Sequence, residues 1–398
     1  MSEKALQGIK VLDFTSVLAG PYCSMMLGNM GAEIYKVEKP QGDDSRTFGP
    51  HVGGMSTYFL SLNRGKKSIV CDTRSEQGKE AFKRLAAEVD ILVENLKPGA
   101  MERMGLGYDT LKEINPRLIY VAVSGFGHSG PYSSRAAYDL IAQAMGGIIS
   151  ITGTPGEAPV RVGASVGDIM AGMFAAFGAV SALYQRVASG TGQKVDVAML
   201  DSQIAMLENA IAKYSANGIV PQPIGLRHPV ITPFDGFETK DGHIIVACGN
   251  DRLFRALCEV LDLESLPQDE RFLTNALRTE HIDALTPIIA QTLRTNTTAH
   301  WMELLLAKNV PCGPINTIDK LFEDPQVAAR NMLVEVEQPD VGKIKLAGNP
   351  VKMSPVEAAD EVSHDPAPEI GSHTREVLID LLGYSAEEAE AYMDSIGG

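Results

Sequence analysis

Across residues 1–200 short β-branched runs alternate with helical stretches, and this alternation limits the possible folds more than any other feature. Ile9–Phe14 (IKVLDF) reads as a strand and Gly20–Met30 as a helix. Glu33–Val37, Ser68–Cys71, Ile91–Glu94 and Leu118–Val123 read as further strands, and Lys194–Met199 adds another after the turn at Ser189–Gly192. Helical periodicity covers Gln77–Glu88 and, more briefly, Thr110–Ile114. Strands separated by helices predict an α/β fold of βαβ units, with a parallel sheet covered on both faces.

The texture then changes. Asn217–Pro233 is rich in proline and in glycine turns and reads as an extended connection. Gly236–Cys248 has the pattern of a hairpin turning at Asp241-Gly242, and helical stretches follow at Arg252–Leu261, His281–Thr292 and Ala299–Lys308. A strand pair around Gly342 and helices at Thr374–Leu382 and Ala386–Ser395 close the chain. For 398 residues, two or three domains are expected. The boundaries predicted are 1–200 with 326–398 for a large α/β domain, 201–225 for a linker, and 226–325 for a smaller α+β domain.

A net charge of −15 and a pI near 5.0 argue against nucleic acid or an anionic membrane as the main partner. The first residues hold no apolar core of a signal peptide. The uncharged run Ile169–Gln185, rich in Gly and Ala, falls short of the ~20 apolar residues of a spanning helix and reads as a closely packed internal one. Cys23, Cys71, Cys248, Cys258 and Cys312 are scattered, without CxxC or a partner histidine. No metal site is expected, and a cytoplasmic location is.

Three features could carry chemistry. The loop Ser16–Pro21, between the first strand and helix, lacks the GxGxxG that cradles a dinucleotide, yet Gly20 permits close backbone approach and Pro21 suits a first helical turn. Residues 36–103 are slightly basic in an acidic chain, with Lys36, Lys39, Arg46, Arg64, Lys66, Lys67, Arg74, Lys97 and Arg103 among them, several at strand ends. Cations gathered there suit a polyphosphorylated ligand. Asp168 opens the small-residue helix, where it is either an N-cap or an anion that the helix N-terminus favours, poorly solvated and able to attack an activated acyl group. Ser124-Gly-Phe-Gly127 lacks the Gly-x of a nucleophile elbow, and Trp301 reads as core.

The ordered segments LQGIKVLDF and LAGP (6–21), GAEIYKVEKPQGDDSR (31–46), NRGKKSIVCD (63–72), VENLKPGAMERMGLGY (93–108), SGFGHSGPYSSRAAYD (124–139), VGDIMAGMFAA (166–176) and GTGQKVDVAMLDS (190–202) resemble the class III CoA-transferases over essentially the whole chain. The resemblance implies a Rossmann-like large domain and a ring-shaped subunit in an interlocked homodimer. It also implies CoA and acyl-CoA as substrates with no prosthetic group. Asp168 falls on the family's catalytic aspartate. The CoA contacts fall on Leu18, Ala19, Lys39, Cys71, Arg74, Asn95, Leu96, Arg103, Tyr138 and Asp139. The acceptor side corresponds loosely to Gly249 and Asn250. Formyl-CoA transferase has a lysine where this chain has Ala136, with Arg135 beside it. A divergent branch racemises 2-methylacyl-CoA through a His-Asp pair, and here Tyr138-Asp139 stands in that place. Transfer of CoA between an acyl-CoA, short-chain or dicarboxylic, and a free carboxylate is the expected activity, with racemisation as the alternative.

Overall fold

The structure, a computed structural model, describes residues 4–354 and 356–396. Six strands form one wholly parallel sheet: β1 (Lys10–Phe14), β2 (Glu33–Glu38), β3 (Lys67–Val70), β4 (Ile91–Glu94), β5 (Ile119–Ser124) and β6 (Gln193–Ala198). They lie in the order β3-β2-β1-β4-β5-β6. The chain steps outward from β1, then returns to lay β4 on the other side of β1. A crevice opens beyond the carboxyl ends of strands at such a reversal.

Strand residues alternate between two cores. Val11, Ile34, Ile91, Val93, Ile119 and Val121 pack on α1 (Ala19–Asn29) and the later α5 (Val166–Ser189). Leu12, Val37, Ile69, Leu92 and Tyr120 pack on α3 (Glu76–Glu88) and on the C-terminal helices 374–380 and 386–396. Both faces are covered, which is why these strands read as near-continuous apolar runs. Between β2 and β3 lies the short α2 (Thr57–Asn63), and before α5 lies α4 (Asp139–Met145). With 24 residues, α5 is long and apolar enough to cross a bilayer by length and composition. Its Gly/Ala face nevertheless packs in the core: Ala171, Ala175, Ala179 and Ala182 are buried.

The chain divides into two compact units, one of residues up to Ile149, Arg161–Ile219 and Pro325 onward, the other of Ser150–Val160 and Val220–Asp324. In the second unit β7 (Phe234–Glu238), β8 (His243–Ala247) and β9 (Cys312–Pro314) form an antiparallel sheet. Its core gathers Phe254, Leu257, Leu285, Ile289, Trp301 and Leu305. The boundaries differ from the sequence expectation in two places. Residues 201–217 are not a linker but belong to helices Met199–Met206 and Glu208–Asn217 of the first unit. The second of these buries no residue, and its Ile211 and Tyr214 stand exposed. The segment Ser150–Val160, assigned to the large domain from sequence, joins the second unit.

A buried ionic network ties β1 to its surroundings. Lys66 Nζ donates to Asp13 Oδ2 (2.9 Å), Ser24 Oγ (2.8 Å) and Pro21 O (3.2 Å). Lys36 Nζ donates to Asp43 Oδ2 (2.8 Å) and Thr15 O (3.0 Å). Burial works against the charge on Asp13, but Lys66, Lys36 and the hydroxyls of Ser24 and Thr15 outweigh it and hold its carboxyl well below the usual range. Removing one member leaves a desolvated charge unmatched. Lys66→Met is therefore expected to lower unfolding free energy by roughly 3–5 kcal/mol in urea titration, and Asp13→Leu/Lys66→Met to recover a large part of it.

Candidate active site

The turn after β1 is the first wall of the crevice. A Cβ on Gly20 would overlap the Thr15 side chain, so only glycine lets α1 start this close to the strand end. Val17 adopts φ +66, a strained conformation for a β-branched residue, and its amide donates to Asp43 Oδ1 (3.2 Å). Asn95, just beyond β4, clamps the same turn: its Oδ1 accepts from Ser16 N–H (2.9 Å) and its Nδ2 donates to Ser16 O (2.8 Å). No side chain caps α1, so its first N–H groups stay available at the wall.

The second wall is the start of α5. Gly172 lets α5 press against α1, since a Cβ there would stand 2.6 Å from Ala19 O. Asp168 lies one turn earlier. It is not the cap: Ser165 holds that position, and the Gly167 amide is taken by Asp139 Oδ1 at 2.8 Å. The Asp168 carboxylate has no hydrogen-bond partner among the described residues, and it lines a cavity of about 260 Å³ with Ser16, Leu18, Ala19, Asn95, Arg135 and Tyr138. Burial, and then the charge of Asp139, push its carboxyl up to about 7.

A second cavity, of about 360 Å³, is lined by Lys39, Cys71, Arg74 and Leu96 and shares Ser16, Asp44 and Leu96 with the first. The two form one groove beyond the carboxyl ends of β1, β2 and β4. Two of its exposed cations are already paired, Lys39 with Asp44 (2.5 Å) and Arg74 with Asp72 (2.8 Å). Of the residues singled out from sequence, Leu18, Ala19, Asn95, Leu96, Tyr138 and Asp168 meet in one cavity and Lys39, Cys71 and Arg74 in the other. Arg103 lies on the surface at the end of a short helix and lines neither. Asp139 is buried, with Oδ1 on Gly167 and Oδ2 accepting from Gln143 (2.7 Å), so its carboxylate braces α5 instead of facing a ligand. Gly249 and Asn250 belong to the second unit, where Asn250 caps the helix Asp251–Val260 by accepting from Leu253 N–H.

Sequence reasoning missed Tyr58 on α2. Burial, then the charges of Asp168, Asp139 and Asp43, push its hydroxyl up to about 12, so it stands near the acidic centre as a neutral donor. No spacing signal marks a lone tyrosine in a two-turn helix.

The family model for CoA-transferase family III matches residues 6–374. The chain belongs to that family. It is 41% identical over 384 residues to human succinyl-CoA:glutarate CoA-transferase, covering 96% of this chain and 87% of that protein. It is 43% identical over 349 residues to acetyl-CoA:oxalate CoA-transferase of Acetobacter aceti, covering 87% and 88%. The crystal structure of a CAIB/BAIF family protein from Brucella suis superposes with a TM-score of 0.84 at 37% identity, covering 95% of this chain and all of that one. The family III assignment makes the chain a CoA-transferase, whose substrates are CoA thioesters.

The raised Asp168 carboxyl has a consequence for stability. Its folded pKa lies above the unfolded value, so the folded state holds the extra proton between pH 4 and 7 and stability falls as pH rises through that window. Asp168→Asn removes the desolvated charge. Thermal and urea unfolding should show the variant more stable than the parent by roughly 1–4 kcal/mol above pH 7, the difference shrinking toward zero near pH 4.

Proposed function

We propose that the enzyme moves CoA between an acyl-CoA and a free carboxylate through covalent intermediates on Asp168. The observation that carries this reading is the unpartnered, partly desolvated Asp168 carboxylate at the wall of a groove that also holds Lys39 and Arg74. The cation end suits the nucleotide phosphates, and the Asp168 end suits the thioester. Family III relatives named for succinyl-CoA with glutarate, and for acetyl-CoA with oxalate, support short-chain and dicarboxylic substrates.

The Asp168 oxygen attacks the donor thioester carbonyl, the C–S bond breaks, and CoA leaves as thiolate with a mixed anhydride on Asp168. The thiolate attacks the Asp168 carbonyl, the C–O bond to the donor acyl breaks, and the donor departs as carboxylate. Asp168 is then a CoA thioester. The acceptor carboxylate attacks it, expels thiolate and forms a second anhydride. Attack of the thiolate on the acceptor carbonyl yields the new acyl-CoA and restores Asp168. No net proton or electron is exchanged. The uncapped amides of Ala19 and Gly20 offer donors to the developing oxyanions.

Racemisation needs an acid and a base beside the α-carbon. Tyr138 is exposed, and both Asp139 oxygens are engaged within the fold, which weighs against that alternative. The order of the parallel strands supports a Rossmann-like reading of the large unit. An interlocked homodimer agrees with the outer face of α5, where Phe177, Tyr184 and Val187 stand 72%, 83% and 84% exposed. The five free cysteines support a reducing, cytoplasmic setting.

Incubation with donor acyl-CoA and hydroxylamine, without acceptor, should convert Asp168 to a hydroxamate detectable by peptide mass spectrometry. Asp168→Ala should lose all but about 10⁻³ of turnover while still binding CoA. Deuterium wash-in at the α-carbon of a 2-methylacyl-CoA, with Asp168 unmodified, would instead establish the racemase. Because the carboxylate must be ionised to attack, kcat should rise with pH through about 7. Phe177→Glu/Tyr184→Glu should shift the sedimentation coefficient to that of a monomer or leave the protein aggregated; an unchanged dimer would place the interface elsewhere.

A further inference from the structure

Glu94 ends β4, immediately before the groove wall Asn95–Pro98, and its side chain is 1% exposed. It is not part of the reaction described above. Its Oε2 accepts from Leu96 N–H at 2.7 Å, and its Oε1 accepts from the Tyr120 hydroxyl at 3.3 Å. Leu96 is one of the residues shared by both cavities of the groove, so this carboxylate holds the wall at the point where the two meet.

The imidazole of His128 stands opposite. Lys194 Nζ lies 3.0 Å from His128 Nδ1, and an ammonium can only donate, so Nδ1 accepts and the neutral ring carries its proton on Nε2. That Nε2 is buried without a hydrogen-bond partner among the described residues, 3.7 Å from Glu94 Oε1. Three donors therefore converge on one buried carboxylate, two bonded and one held just out of reach.

We propose that Glu94 is a positioning residue that holds the Asn95–Pro98 wall in its CoA-binding shape through the Leu96 amide, and that protonation of Glu94 loosens this hold. The inference rests on the reading of the groove as the acyl-CoA site. Burial pushes the Glu94 carboxyl up to about 7, against the Leu96 amide and the Tyr120 hydroxyl. The charged groups facing the pair are Glu102, which opposes ionisation of Glu94, and Lys194, which favours it; Asp196 acts on His128, whose backbone amide it also accepts from at 2.9 Å. Tyr108 stacks edge-on to Tyr120 and completes the surroundings. The amide bond to an ionised carboxylate is shorter and stronger than one to a neutral acid, so it weakens as pH falls through about 7.

Asp168 also titrates near 7, so activity alone cannot separate the two groups. The test therefore measures CoA binding by calorimetry in the full-length Asp168→Ala protein, with and without Glu94→Gln, from pH 6 to 8.5. In the Asp168→Ala protein affinity should weaken roughly three- to tenfold as pH falls across this range. Glu94→Gln, which keeps an acceptor for Leu96 but cannot titrate, should remove that slope and hold affinity near the low-pH value. The difference in slope should persist with dephospho-CoA, which lacks the 3′-phosphate that titrates near 6. Tyr120→Phe removes one donor from the same carboxylate without changing the packing volume, and should move the midpoint of the pH dependence upward. Parallel slopes with and without Glu94→Gln, or affinity rising at low pH, would overturn the role of Glu94. Failure of both proteins to bind CoA at any pH, while still folded by their melting profiles, would overturn the groove itself as the acyl-CoA site.

Discussion

The close approach of α1 and α5 is the contact on which the site depends. Gly172 lies against the Ala19 carbonyl, and the alanines that follow keep the two helices at a distance larger side chains would not allow. This brings the first turns of both helices to the same end of the sheet, beyond β1 and β4. Two helix N-termini then border one cavity, and Asp168 sits on one of them. The small-residue composition that marks α5 as a closely packed internal helix is thus the means of placing a carboxylate beside the Leu18–Ala19 turn.

Once placed there, the carboxylate is subject to opposing forces. The N-terminus of α5 favours an anion, whereas burial and Asp139 disfavour it. Asp139 cannot be spared, because it accepts the Gly167 amide that begins α5. The bracing residue Asp139 and Asp168 therefore act on each other as like charges. A carboxylate kept short of hydrogen bonds near neutral pH is a better nucleophile than one solvated by several donors, and the fold leaves Asp168 in that state. The cost of leaving that carboxylate desolvated falls on stability.

Much of this was legible in the chain, for physical reasons. The parallel strands are apolar on both faces, so the sheet could be read from pattern, as could the Ser16–Pro21 loop and the strand-end cations Lys39 and Arg74, whereas Cys71, Asn95, Leu96 and Tyr138 came only with the resemblance. The ambiguity at Asp168 could not be resolved there, because an N-cap and a residue three positions further on are told apart only by where the helix begins, which spacing does not reveal. The structure puts Ser165 at the cap and Asp139 on the Gly167 amide. Asp139 entered the CoA contacts through the resemblance alone; the structure shows both its oxygens engaged within the fold, which no spacing reveals. Tyr58, Glu94 and His128 were silent because their partners lie in distant segments, and only the fold brings Glu94 to Tyr120 and His128.

The buried ions explain how the groove keeps its shape with exposed cations on its rim. Lys36 bonds Asp43, and Asp43 Oδ1 in turn accepts from Val17 N–H and from Ser45 N–H at 2.8 Å. The strained Val17 conformation is thus held from below by a carboxylate whose own charge is matched by Lys36. Asn95 holds the adjoining Ser16 from the other strand. The Ser16–Val17 turn at the wall of the groove is therefore fixed from β2 and from β4, independently of any ligand. Lys39 and Arg74 are arranged differently: each is exposed and paired to a neighbouring aspartate, so a phosphate must displace Asp44 or Asp72 to reach it. Such exchange between exposed partners gains little net energy and is screened by salt. On the acyl-CoA reading proposed above, the cations supply register for the nucleotide end, while the rigid turn keeps its position beside Asp168.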